Sequence, residues 1–261
     1  MSDEKRYLVS KVAVIFGVDD LGRGIARRFA REGAAIALID ADARRSQALA
    51  DEMGAGAWAS PCDASCDASI KSAIDAAALA LGGINVLVNN VLPSPTIASL
   101  EQQDAVTFEA AFRAIAATRT AMQSSFPYLS AAGGGRIVNV GHRYGEGVNE
   151  WIGAYNTAAW ALIGLTRTAA VDWGQYQIAT NVLLPLADTA EFRAYHERKP
   201  KLLDLMTSQV SLGRLGDPIE DIGGAAVFLA SDAVNFVNGE VVHADGGQHI
   251  AGPVLNPGKF R

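Results

Sequence analysis

Short apolar runs of strand length recur along this chain, and nearly every one is followed by a longer, alanine-rich stretch with helical spacing. The runs are Lys11–Phe16 (KVAVIF), Ala35–Ile39 (AIALI), Ala57–Ala59, Ile84–Val88 (INVLV), Arg136–Val140 (RIVNV), Thr180–Leu184 (TNVLL) and Glu240–His243. They do not alternate apolar with polar residues, so both faces of each strand must be covered, which is the condition of a parallel sheet between two helix layers. Between them the pattern predicts helices over Gly22–Glu32, Arg44–Met53, Ser69–Leu81, Ala105–Ala131, Tyr155–Tyr176 and Ile219–Ser231. Repeated β–α alternation with right-handed crossovers gives a doubly wound parallel sheet of about seven strands flanked by helices. No Pro/Ser/Gly-rich linker and no repeat divides the chain, so residues 1–261 read as a single α/β domain. The segment of about 186–212 is polar, helical in character and follows a strand end, the place where a substrate lid is expected.

Composition narrows the partners. With 49% hydrophobic and 19% charged residues the chain builds a real core. A net charge of −6 argues against nucleic acid and anionic membranes, which need a basic face. No apolar run reaches transmembrane length, and the opening MSDEKRYLVSK lacks the apolar centre of a signal peptide, so a cytoplasmic protein is expected. Cys62 and Cys66 have no second pair, and His142, His196, His243 and His249 show no paired ligand spacing. They read as reduced thiols and non-ligating imidazoles, with no metal site.

The order of motifs resembles the short-chain dehydrogenase/reductase family over nearly the whole length. KVAVIFG…LGRGIARRFAREGA is similar to its first βαβ unit, VLVNN to its fourth strand, GGRIVNV to its fifth, and NVLLP to the end of its sixth. The tail LGRLGDPIEDIGGAAVFLASDAVNFVNGEVVHADGG is similar to its C-terminal pattern. The resemblance implies a Rossmann-like fold and an oxidoreductase that moves a hydride between a nicotinamide and a small alcohol or ketone. It also implies association through the helices about Ala105–Ala131 and Tyr155–Tyr176 and the last strand. The result would be a homotetramer or dimer, or a mixed assembly with an active paralogue.

Resemblance also assigns the cofactor positions, and the residues there are only partly those expected. The pyrophosphate of NAD lies over a glycine-rich turn and a helix N-terminus. Here the turn is Phe16-Gly17-Val18-Asp19-Asp20-Leu21-Gly22, one residue short, with the middle glycine missing and two carboxylates where small neutral residues are expected. Gly17, Leu21 and Gly22 fill the remaining turn positions, while Gly24 has the register of a helix-packing glycine. Asp40, about 20 residues past the turn, is placed to accept from the adenosine ribose and to repel a 2′-phosphate, which favours NAD over NADP. Asp63 falls at the adenine edge, Asn89 near the ribose, and Pro185 at the nicotinamide, where Leu186 replaces the usual following glycine. As ordinary residues, Asp40 and Asp63 are also strand-end acids, and Asn89 and Asn90 also close turns.

The catalytic positions depart further. A tyrosine working at neutral pH needs a nearby cation, because its free pKa is about 10. Tyr155 matches the family's tyrosine. The lysine position holds Ala159, the serine position His142, and the asparagine position most nearly Ile115; no lysine occurs from Ser72 to Arg198. Tyr155 facing His142 is a candidate acid–base pair. Three functions are open to it: an NAD(H)-preferring oxidoreductase with a non-standard site, a lyase, isomerase or dehydratase without redox, or a non-catalytic subunit. Trp151 and Trp160 are expected to pack in the core or an interface.

Overall fold

The computed structural model describes residues 6–91, 95–142, 146, 148–197 and 200–250. Seven strands form one sheet: β1 (Val12–Phe16), β2 (Ala35–Asp40), β3 (Ala57–Pro61), β4 (Val86–Asn89), β5 (Gly135–Val140), β6 (Ile178–Pro185) and β7 (Val241–Ala244). Their order is β3-β2-β1-β4-β5-β6-β7 and every pairing is parallel. Among the described residues the α-helices are α1 (Asp20–Arg31), α2 (Ala43–Met53), α3 (Asp67–Leu81), α4 (Ala105–Ala131), α5 (Gly153–Trp173), α6 (Ala190–Glu197), α7 (Pro200–Ser208) and α8 (Gly223–Ala230).

The absence of alternation in the strands is explained by two cores, one on each face. Ala13, Ile15, Ile36, Leu38, Val86 and Val88 point one way, against Ile25, Ala26 and Phe29 of α1 and Ala226 and Leu229 of α8. Val14, Phe16, Ala37, Ile39 and Leu87 point the other way, against α3, α4 and α5. Fully burying one such Ile or Phe contributes about 1.5–3 kcal/mol, so the two layers dominate the stability.

Several boundaries differ from the pattern for local reasons. The first helix starts at Asp20, ahead of Gly22, because Asp19 caps it through the Leu21 and Gly22 amides. The fifth starts at Gly153, ahead of Tyr155, because Gln103 Oε1 accepts from the Ala154 N–H at 2.8 Å. The last stretch divides into a π turn over Pro218–Ile222 and α8, with Asp217 capping the turn. The segment after β6 holds α6 and α7.

Candidate functional site

Because β1 lies between β2 and β4, the crossovers leave in opposite directions at that point, and the C-terminal ends of the strands there are where open sheets of this kind bind ligands. Gly17 stands there with φ +97°, and a Cβ on it would fall 2.1 Å from the Asn90 carbonyl oxygen. A Cβ on Gly22 would fall 2.0 Å from the Gly17 carbonyl oxygen, so the shortened turn closes tightly on itself. Gly24 packs instead against Pro218, the role its register suggests.

Asp19 sits in the middle of this turn, turned inward. Its Oδ1 accepts from the Leu21 N–H and the Gly22 N–H, both at 3.0 Å, and from Asn90 Nδ2 at 2.6 Å. These helix-start amides are of the kind that bind anions. Although Asp19 is exposed as a residue, its carboxyl is enclosed by these donors. Removal from water raises its pKa above the ordinary carboxylate value, opposed by the hydrogen bonds from Gly22, Asn90 and Leu21 and by the attraction of Arg45. Asp20 reaches the other way, and its Oδ2 accepts from the Ala190 N–H of α6 at 2.6 Å. The start of α6 is further fixed by Arg193, which pairs with both Asp188 oxygens at 2.7 Å, and by Thr189, whose hydroxyl accepts from the Phe192 N–H.

Asp40 ends β2 almost wholly buried. Its Oδ2 accepts from the Val18 N–H at 2.5 Å, and its Oδ1 from the Asp42 N–H at 2.8 Å and from Arg45 at 2.7 Å. Arg45 is a site residue that sequence reasoning missed; its only signal is a basic residue on the helix that follows the strand-end acid. Asp63 is exposed, and the Ser65 hydroxyl and amide that bond its Oδ1 hold its carboxyl below the ordinary range. Asn89 is buried at the tip of β4. Its amide donates to Asn139 Oδ1 at 2.8 Å, and Asn139 donates in turn to Thr166 on α5. The Asn89 Oδ1 is buried with no hydrogen-bond partner. Pro185 ends β6 opposite Ala244, and Leu186 behind it is buried.

Tyr155 lies in the first turn of α5, fixed from outside the helix. Gln103 bonds the Ala154 amide and the Ala98 carbonyl, and residues Ala98 and Ile152 form a β-bridge. Asn156 donates to the Asn149 carbonyl at 2.8 Å, which holds the approach to the helix. His142 follows β5, and its ring meets the Tyr155 ring edge-on, with centroids 5.0 Å apart and planes at 87°. The strand and helix thus bring these two rings into contact. Ala159 is buried one turn on, and Ile115 packs with Ala111, Ala154, Ala158 and Phe108 in an apolar seam where the family's asparagine would stand. Trp151 and Trp160 are both exposed, so neither packs in the core.

A second cluster at the same edge of the sheet went unread in the sequence. The rings of His243 and His249 stack with centroids 3.7 Å apart; Glu146 lies 3.4 Å from His243 Nε2, and Asp245 lies 3.0 Å from His249 Nδ1. Burial, then the His249 charge, lower the His243 pKa, against Asp245 and Glu146. A spacing of six residues gave no hint of a stack, because a turn after β7 brings the two together. Among the described residues no group of three or more His, Cys, Asp or Glu is arranged to hold a metal, and both cysteines are free thiols.

A parallel sheet in this strand order, with its switch point between β1 and β4, defines a Rossmann-like α/β protein. A family model described as enoyl-(acyl carrier protein) reductase matches residues 17–249. Galactitol 2-dehydrogenase (L-tagatose-forming) of Cereibacter sphaeroides is 31% identical over 232 residues, 88% of this chain and 91% of that protein. A protein of Xanthobacter autotrophicus named inactive 2-(S)-hydroxypropyl-CoM dehydrogenase 2 is 33% identical over 231 residues, 85% of this chain and 98% of that protein. The solved structure of a 3-ketoacyl-(acyl-carrier-protein) reductase from Brucella melitensis, complexed with NADH, has the same fold. Its TM-score is 0.84 at 24% identity, over 92% of this chain and 99% of that one. The chain belongs to the short-chain dehydrogenase/reductase family, a family of oxidoreductases.

The residues present fit the family's dinucleotide unequally. At the nucleoside end, the orphaned Asn89 oxygen needs a donor and Asp40 Oδ2 accepts only one bond, so hydroxyl groups suit them. The diphosphate does not fit while Asp19 holds the α1 amides, because two anions would share one set of donors.

Proposed function

We propose that this chain is an oxidoreductase acting on a small alcohol or ketone through Tyr155 and His142, with NAD(H) preferred over NADP(H). The observation that carries the reading is the edge-on contact of the Tyr155 and His142 rings at the C-terminal edge of the sheet. NAD(H), when bound, supplies or accepts the hydride; Asp40, Asn89 and Pro185 are the residues assigned to hold it, beside the turn glycines Gly17 and Gly22 and Leu21, with Asp63 at the adenine edge. For reduction of a ketone, Tyr155 gives its phenolic proton to the carbonyl oxygen and His142 restores that proton from solvent. A protonated imidazole also supplies the positive charge that a tyrosine needs to give up its proton near neutrality, in place of the absent lysine. The burial of Tyr155 limits the water that competes for that proton.

Assembly and location complete the reading. No helix among the described residues is long and apolar enough to cross a membrane, and a cytoplasmic location suits the acidic chain. Val106 and Phe112 on α4 and Trp160 and Val171 on α5 are exposed apolar residues, which suits association of copies through these helices into a dimer or tetramer.

One observation favours a second reading. With Asp19 on the diphosphate donors, the same Tyr155–His142 pair would serve proton transfer without redox, as in an isomerase, dehydratase or lyase. Turnover of NADH with a panel of small ketones, followed by loss of its near-ultraviolet absorbance, separates the two. Redox chemistry gives turnover that falls about a hundredfold or more in Tyr155→Phe and in His142→Ala, the usual scale for a lost acid–base group. Cofactor-free deuterium exchange beside the carbonyl, with no NADH consumed, would establish the second reading instead.

A further inference from the structure

We infer that Asp19 and Asp20 act as built-in substitutes for the two phosphates of the dinucleotide, holding the turn and α6 in a closed arrangement and setting how tightly a cofactor binds. This rests on the NAD(H) reading above only for the identity of the competing ligand. The two side chains are consecutive, as the two phosphates are, and they diverge. Asp19 satisfies the amides of Leu21 and Gly22 and the side chain of Asn90. Asp20 crosses to the segment after β6 and satisfies the Ala190 amide at the start of α6, 170 residues away.

Each contact places a full negative charge where a neutral side chain would supply only the hydrogen bond. A helix start presents amides without internal partners and the positive end of the helix dipole, and both favour an anion. The turn has lost one residue and Gly22 packs directly on the Gly17 carbonyl, so no free space separates Asp19 from those amides. On the far side, Asp188 and Arg193 pair with each other at both oxygens, which leaves Asp20 as the carboxylate on the Ala190 amide. A dinucleotide must displace Asp19 from its three donors before its own charge can occupy them. Its affinity is therefore governed by two residues that touch neither the nicotinamide nor the substrate. Burial of the Asp19 carboxyl, which raises its pKa, makes that displacement easier as pH falls.

The test compares the whole chain with Asp19→Asn, Asp20→Asn and the double variant, all of which keep side chains of the same size. Asp19→Ser serves as a second form at the first position, since serine caps a helix as well as aspartate does. Thermal melts with millimolar inorganic pyrophosphate read the donors directly, and calorimetric titration with NADH reads the cofactor. Pyrophosphate should leave the wild-type melt unchanged and raise that of the double variant. NADH should bind the double variant about tenfold or more tightly than the wild type, since each charge removed would otherwise repel a phosphate of the bound dinucleotide. Asp20→Ala should also be cut faster by trypsin at Arg193 and Lys201. Equal response of wild type and variants to pyrophosphate, with unchanged cutting, would overturn the assignment. A gain for pyrophosphate without any NADH binding would uphold the assignment and remove the NAD(H) reading alone.

Discussion

Asp40 braces the fold and is also proposed to hold a ribose, and stability in the free protein isolates the first role. Replacing it with alanine removes the acceptor for the Val18 amide, which is itself fully buried. An unpaired buried amide costs about 1–3 kcal/mol. The Asp42 amide and the Arg45 guanidinium lose their acceptor too, but both reach water, so together they add only about 1 kcal/mol. The expected loss is about 2–4 kcal/mol in the free protein, or roughly 5–15 °C in melting temperature for a domain of this size. Urea denaturation of Asp40→Ala without nucleotide measures it, with Asp40→Asn expected to recover about half by keeping one oxygen acceptor. A loss below about 1 kcal/mol would refute the bracing role, since one orphaned amide alone exceeds it.

Other outcomes follow from the same geometry. Gly22→Ala should lose about 3 kcal/mol or fail to fold, because its Cβ would meet the Gly17 carbonyl at 2.0 Å and neither backbone can yield; a melt that matches the wild type would show that the turn opens. Gln103→Ala should cost about 1 kcal/mol as a lost cap on α5 and lower turnover by shifting Tyr155; steady-state rates and urea curves check both. Burial lowers the His243 pKa below the ordinary value of about 6.5. Its contribution to stability is thus complete above about pH 6.5 and is lost as pH falls through its lowered folded value. Wild type should lose stability more steeply than His243→Gln between about pH 6.5 and that lowered value, and parallel curves would remove His243 as the cause.

The sheet was legible because strands buried on both faces carry continuous apolar runs, and all seven fall where those runs lie. The ends were less so. Asn89 joins β4 because it pairs with Phe16 of β1 and Asn139 of β5, which no local pattern shows, whereas α1 opens at Asp20 because Asp19 caps it locally. The residues Ala159, His142 and Ile115 could be named from the family resemblance, but the inward turn of Asp19 could not. That turn depends on Asn90, 71 residues away, and the reach of Asp20 depends on Ala190, 170 residues away. The stacking of His243 on His249 needed the turn after β7. Tyr155 and His142, 13 residues apart, were brought together by the strand–helix order that the apolar runs had already set.

Calorimetric titration of the unaltered protein with NADH, then with NADPH, tests the central claim most directly. The account gives measurable but weak NADH binding, weaker binding of NADPH, and a tightening for NADH when Asp19 and Asp20 become asparagine. No binding of either nucleotide by the wild type or by the double variant would contradict it, and would leave Tyr155 and His142 to chemistry without a hydride.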